Sequence, residues 1–295
     1  MYNKKLCMNI APCFAAPLTE QPALIKEAGF EGVFWCIEKK LDSDDVFRAV
    51  KEAGLEIQSI HAPYGGAADM WLDGGEDAEL AEKQLTDAVR ACVGYGSPLM
   101  ILHTFIGFDD VPHIPTDAGL ERYGRVIDEA RRNGIKLAFE NTEGEEYLDA
   151  LLENFGDGKT VGFCWDSGHE MCYNGSRDLL KKYGDLLFGT HLNDNLGVKD
   201  FDGRLTWHDD LHLLPFDGIA DWEYNAERLA KTGFDGMLTF ELKTNSIPGR
   251  HENDIYGEMS AERYFSEAYK RACRVGALVI KKGLQKNYSP VDSKA

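Results

Sequence analysis

Short apolar runs alternate with longer amphipathic runs from one end of this chain to the other, and no other feature limits its folding choices as much. Strands are expected at 6–10, 32–37, 56–61, 99–103, 136–140, 161–166, 187–191 and 237–241, where the runs are short and apolar. Helices are expected at 21–28, 44–53, 79–93, 117–132, 146–154, 177–182, 222–231 and 261–281, where apolar residues recur with helical spacing. Gly29, Gly54, Gly134 and Gly233 follow helical runs, and glycine closes a helix by taking the left-handed conformation. Strand followed by helix, repeated through eight regular units, predicts an α/β chain closed into a single (β/α)8 barrel. An open doubly wound sheet is the rival, but it rarely needs eight regular units. No gap is rich enough in Pro, Gly or Ser to separate domains. One barrel domain over 1–282 and a polar tail over 283–295 are therefore expected.

The charge balance narrows the partners. Lys plus Arg number 32 against 50 Asp plus Glu, a net charge of −18. Such a surface repels phosphate backbones and anionic membranes, so neither nucleic acid nor a membrane is expected as a partner. No window is long and apolar enough to span a bilayer. The seven cysteines are odd in number and show no CxxC spacing, which fits reduced thiols in a cytoplasmic protein. The first apolar run reads as a strand and not as a secretion signal.

The stretch from Leu137 to Glu146 begins as a strand and ends in a cluster of carboxylates. By strand alternation Ala138 and Glu140 share one face while Leu137 and Phe139 share the other. A buried Glu needs a cation or a donor beside it. Glu140 is not alone at a strand end: His61, His103, Asp166, His191 and Glu241 close five other predicted strands. Strand ends of one barrel meet at one rim, where barrel active sites lie. A divalent cation explains carboxylates and imidazoles gathered without thiolates, with Mn²⁺, Mg²⁺, Co²⁺ and Zn²⁺ all suited to such donors. Two long loops, 63–77 and 194–221, leave from the same rim. They carry Trp71 and Trp207, both candidates for lining a pocket, and Asp210 and His212. Trp35 and Trp165 also fall near the proposed mouth, with ordinary packing preferred for Trp165, and Trp222 reads as structural. His113, His208 and His251 read as solvated loop residues.

These motifs, in this order, resemble the xylose isomerase-like TIM-barrel superfamily, which includes sugar-phosphate isomerases and epimerases and hexulose 3-epimerases. The likeness runs from Ser59-Ile60-His61-Ala62-Pro63 to Phe240-Glu241-Leu242. It implies a divalent metal held by Glu140, Asp166, His191 and Glu241. It implies that Glu140 and Glu241 exchange the proton next to a sugar carbonyl through a metal-stabilised enediolate. Glu146 and His169 match the offsets of residues that hold substrate oxygens, and His61 and His103 are further candidates for substrate contact. A small sugar substrate and a homo-oligomer are implied as well. One position departs from the hexulose epimerases. Their Arg six residues past the ligand His is Gly197 here, with Lys199, Arg204, Lys243 and Arg250 as candidate substitutes.

A second resemblance, to TIM-barrel apurinic endonucleases with three zinc ions, rests on His61, His103, Glu140, Asp166, His169, His191, Asp210, His212 and Glu241. It makes His61, His103, His169, Asp210 and His212 candidates for further metal sites. The acidic charge and the lack of interleaved basic and aromatic residues in the loops weigh against DNA. Sugar isomerisation or epimerisation is therefore the expected reaction. A dehydratase or lyase acting on a keto-sugar or cyclitol in the same site is the alternative. A multi-zinc phosphodiesterase and a non-catalytic sugar-binding barrel stand behind these.

Overall fold

Eight parallel strands pair in sequence order around a ring. They are β1 (Leu6–Ile10), β2 (Gly32–Cys36), β3 (Glu56–His61), β4 (Leu99–His103), β5 (Lys136–Glu140), β6 (Val161–Asp166), β7 (Leu187–His191) and β8 (Leu238–Phe240). The computed structural model describes residues 4–37, 43–107, 114–198 and 207–287. Each strand bonds to its sequence neighbour, and β1 bonds to β8 as well as to β2. The ring closes through a parallel bridge between Leu192 and Phe240, reinforced by the Leu192 N–H donating to the Thr239 carbonyl at 2.8 Å. The chain is a (β/α)8 TIM barrel.

Helices cover the ring. They are α1 (Gln21–Ala28), α2 (Ser43–Ala53), α3 (Glu76–Tyr95), α4 (Asp117–Asn133), α5 (Glu145–Phe155), α6 (Ser167–Cys172), α7 (Leu179–Tyr183), α8 (Trp222–Thr232), α9 (Asp254–Gly257) and α10 (Ala261–Asn287). Gly29, Gly54, Gly134 and Gly233 all take positive φ, as helix closure requires. Several elements differ from the sequence reading: β8 ends at Phe240, one residue short of Glu241, and α9 is not among the expected helices. Six residues of α6 follow β6 at once, ahead of α7, because the Asp166 side chain caps the Gly168 and His169 N–H groups. And α10 continues to Asn287, past the expected end at 281.

Alternation along the strands sorts side chains into two layers. Leu137 and Phe139 of β5 point outward, into the continuous core between strands and helices that also takes Met8, Val33, Trp35, Ile60, Met100, Leu102, Phe163 and Phe240. Ala138 points inward and joins Leu99, Ile101 and Cys164 in a small cluster inside the ring. Small inward residues suit this space: a Cβ on Gly189 would approach Ile101 to 3.3 Å. No described helix is long and apolar enough to cross a membrane. None of the seven cysteines forms a disulfide.

Stability resides in the outer layer. Phe139 is fully buried there. Phe139→Ala is expected to lower the unfolding free energy by about 3–5 kcal/mol, read by urea denaturation.

Candidate metal centre

Strand register builds the site. Five strands end at the C-terminal rim in His61, His103, Glu140, Asp166 and His191, and Glu241 directly follows β8. His103 lies opposite Glu140, and Asp166 lies opposite His191. The Leu192–Phe240 closure then sets Glu241 beside His191, with the Glu241 N–H 3.3 Å from the Leu192 carbonyl. Glu140, Asp166, His191 and Glu241 thus offer four donor atoms within 4.8 Å of one another. His191 Nδ1 is the hinge of the group, 3.0 Å from Glu140 Oε1 and 3.1 Å from Glu241 Oε2.

Neighbouring groups fix these donors. Asp166 Oδ1 accepts from the Gly168 and His169 N–H groups at 2.7 Å each. The Asn193 amide holds the other oxygen, Oδ2, at 3.0 Å, and Asn193 is itself tied to Ser167. A side chain at position 168 would strike this lock: a Cβ there would come within 1.9 Å of Asn193 Oδ1. Asn141 grips the Asp166 backbone from both sides, accepting from its N–H at 2.7 Å and donating to its carbonyl at 2.9 Å. The His191 ring stacks on Phe34 with centroids 4.6 Å apart. Such support is what keeps a ligand set in one geometry.

Three carboxylates this close in a dry interior repel one another and lose their hydration, so they need positive charge. Burial alone would raise the Glu140 carboxyl, but His191, His169 and His61 outweigh it and hold the group well below the usual carboxylate range. Burial lifts Asp166 to about 6, with the charges of Glu140 and Glu241 adding to the rise against the pull of His169 and His212. His191 moves to about 10, because Glu140 and Glu241 overcome the opposing effect of burial. His103 goes the other way, to about 3, chiefly through burial. The donor set, three carboxylate oxygens and one imidazole nitrogen, fits a divalent ion that favours oxygen ligands.

A second rank of residues adjoins this group. His61 Nε2 lies 3.3 Å and His103 Nε2 3.5 Å from Glu140 Oε2, so Glu140 faces imidazoles on both its oxygens. His61 forms a further three-donor group with Glu140 and His191. His169, Asp210 and His212 form another, with His212 Nε2 2.7 Å from Asp210 Oδ2. His212 holds a left-handed φ of 48°, strained for a residue with a side chain, and its Nδ1 sits 3.0 Å from the Glu241 carbonyl oxygen. Above these residues opens a cavity of ≈ 780 Å³. Glu241, His61, His103, His169, Asp210 and His212 reach its wall, together with Tyr64, Tyr173 and Trp207.

A family model described as Xylose isomerase-like TIM barrel matches residues 22–264. The chain belongs to this family. It is 27% identical over 292 residues to the y4fM protein of Sinorhizobium fredii strain NGR234, covering 87% of this chain and 88% of that protein. The solved structure of the IOLI protein with a binding zinc atom aligns with TM-score 0.74 at 18% identity, over 94% of this chain and 99% of that one. That of L-ribulose 3-epimerase aligns with TM-score 0.71 at 13% identity, over 99% of this chain and 100% of that one.

Within this xylose isomerase-like barrel, two substrate-contact expectations need correction. Trp71 does not line the cavity. A short 3-10 turn, Asp69–Trp71, buries its indole against Tyr123 and Tyr147, where Nε1 donates to the Thr104 carbonyl at 2.8 Å. Glu146 is exposed on α5, away from the cavity, and Glu143 faces the cavity instead. Gly144, with φ of 72°, turns the chain between them. Trp35 is likewise wholly buried in the outer core. Trp165 and Trp222 pack internally as read, donating to Glu170 and Asp194. Of the four candidate substitutes for the missing Arg, Lys199 and Arg204 lie outside the described residues, as does His113. Arg250 is engaged by Asp209 and Glu252, while Lys243 faces the cavity. Asn193 was missed, though a signal existed: it stands two residues past His191 and so shares its side of the strand path.

Asn193→Ala frees Asp166 to turn. Isothermal titration with Mn²⁺ is expected to show roughly 10–100-fold weaker binding, with the thermal melting profile retained.

Proposed function

We propose that this protein is a divalent-metal-dependent sugar isomerase or epimerase. The observation that carries the reading is the convergence of Glu140 and Glu241 on His191 Nδ1, with Asp166 completing the group and Glu241 opening onto a cavity sized for a small molecule. The structural likeness to L-ribulose 3-epimerase supports a sugar as substrate. A divalent ion, Zn²⁺, Mn²⁺, Mg²⁺ or Co²⁺, held by Glu140, Asp166, His191 and Glu241, would supply Lewis-acid polarisation of the substrate carbonyl. The rest is the work of side chains. One of Glu140 and Glu241 takes the proton next to the carbonyl and the other returns it. Glu241 opens to the cavity while Glu140 is fully buried, so the two meet the substrate from different depths. Glu143 and His169 accept or donate to hydroxyls, and Tyr64, Tyr173 and Trp207 cover apolar faces of the carbon chain.

Loss of water from an oxidised sugar or cyclitol needs the same proton removal, and a mass change in the product distinguishes it from isomerisation. The His169–Asp210–His212 group favours a second reading, a multi-metal phosphodiesterase. Two or more ions per chain together with hydrolysis of a phosphodiester would establish that reading in place of sugar chemistry.

Two outcomes test the proposal. With Mn²⁺ and a panel of ketoses, Glu241→Gln is expected to lower kcat by about 10²–10⁴-fold, and chelation of the wild type to abolish turnover reversibly. Full activity in Glu241→Gln would remove that residue from the chemistry. Glu143→Gln is expected to raise KM about 10–100-fold, while Glu146→Gln leaves it unchanged.

A further inference from the structure

The His169–Asp210–His212 group could accept a second divalent ion, yet its carboxylate already has a cation beside it. Asp210 Oδ2 lies 2.7 Å from His212 Nε2, 3.6 Å from His169 Nε2 and 3.4 Å from Lys243 Nζ. We propose that Lys243 is a built-in cation that takes the place of a second metal ion at this group, so that the chain holds one divalent ion, on Glu140, Asp166, His191 and Glu241. The inference rests on the metal centre proposed above.

Charge matching supports it. The Glu140 group has three carboxylates, which a single divalent ion does not fully neutralise. The His169 group has one carboxylate, which one ammonium balances. A divalent ion added there would face that ammonium at close range in a partly dry cavity, where like charges repel strongly. Among the described residues lining the cavity, Lys243 is the only Lys or Arg.

The backbone aims this side chain. Lys243 stands two residues past Glu241, and strand-like alternation returns it to the same side. Its N–H donates to the His212 carbonyl at 3.2 Å, and its carbonyl accepts from Asn253 Nδ2 at 3.1 Å and the Tyr264 hydroxyl at 3.3 Å. The root of Lys243 and the His212 loop are thus joined directly. The Lys243 side chain keeps 38% exposure, so it reaches along the cavity wall instead of being packed in the core. Asp210 Oδ1 is buried with no hydrogen-bond donor among the described residues. Loss of the ammonium therefore leaves a carboxylate with an open oxygen for an incoming ion.

Ion counting tests this directly. Full-length wild type, Lys243→Met and Lys243→Met/His212→Ala are stripped with chelator, reloaded with excess Co²⁺ or Zn²⁺, desalted, and counted by plasma mass spectrometry. Circular dichroism confirms folding, and Lys243→Gln serves as a second neutral variant. The expected result is one ion per chain in wild type, two in Lys243→Met and Lys243→Gln, and one again in the double variant. Two or more ions in wild type, or one ion still in both neutral variants, overturns the role of Lys243 while leaving the first metal centre standing. A second ion that persists in the double variant overturns it too, because that ion sits elsewhere. No ion in any chain overturns both this inference and the metal centre beneath it.

Discussion

Three carboxylates, Glu140, Asp166 and Glu241, are drawn around one imidazole at the rim of a barrel. Each would lose several kcal/mol of solvation on entering such a place, so the fold must supply compensation or the strands could not close. It does so in layers. Four imidazoles approach the two oxygens of Glu140, backbone N–H groups cap Asp166, and His191 joins Glu140 to Glu241. A cation would complete this set more fully than protons do, because it would serve all four donors at once.

The barrel tolerates so polar a rim because its stability is earned elsewhere. Outward side chains of the strands meet the helices in one continuous apolar layer, and inward positions contribute only a small cluster. Ala138 and Cys164 fill the ring with little volume, and Glu140 and Asp166 follow them two residues later on the same face. One step of alternation therefore separates packing from chemistry along a single strand. The final closure is equally economical. Three residues suffice for β8, since the Leu192–Phe240 bridge fixes the register that puts Glu241 beside His191.

This explains what the sequence disclosed. Strand alternation and the eight-unit repeat are local, periodic properties, so the barrel and the gathering of His61, His103, Glu140, Asp166, His191 and Glu241 near one rim were legible in the sequence. Loop residues are different, because their direction depends on contacts distant in sequence. Glu143 and Glu146 look alike in an acidic run, and the left-handed Gly144 decides that one faces the cavity and the other solvent. Trp71 reads from the sequence as a pocket-lining residue because it sits on a long loop that leaves from the same rim. Its ring is instead claimed by Tyr123, Tyr147 and the Thr104 carbonyl, which lie far along the chain. The six-residue α6 was too short to show periodicity, although the Asp166 cap that starts it was in view.

Lys243 extends this distinction from position to stoichiometry. Coordinating residues repeat in a recognisable order, so a motif identifies the atoms able to hold metal. A motif says little about how many ions are held, because that depends on every charge facing the cavity, including residues outside it. Here eight ligand-type residues gather into three adjoining groups, but a lysine two residues past Glu241 lies against Asp210. An ammonium fixed by the fold needs no uptake from solution and offers no open coordination position. With Lys243 in place of a second ion, the edge formed by His169, Asp210 and His212 would keep its hydrogen bonds while any Lewis-acid chemistry would be confined to the Glu140 group. That confinement suits proton transfer at one carbon better than attack on a bridging phosphate, which gains from ions on both the attacking and the leaving oxygen.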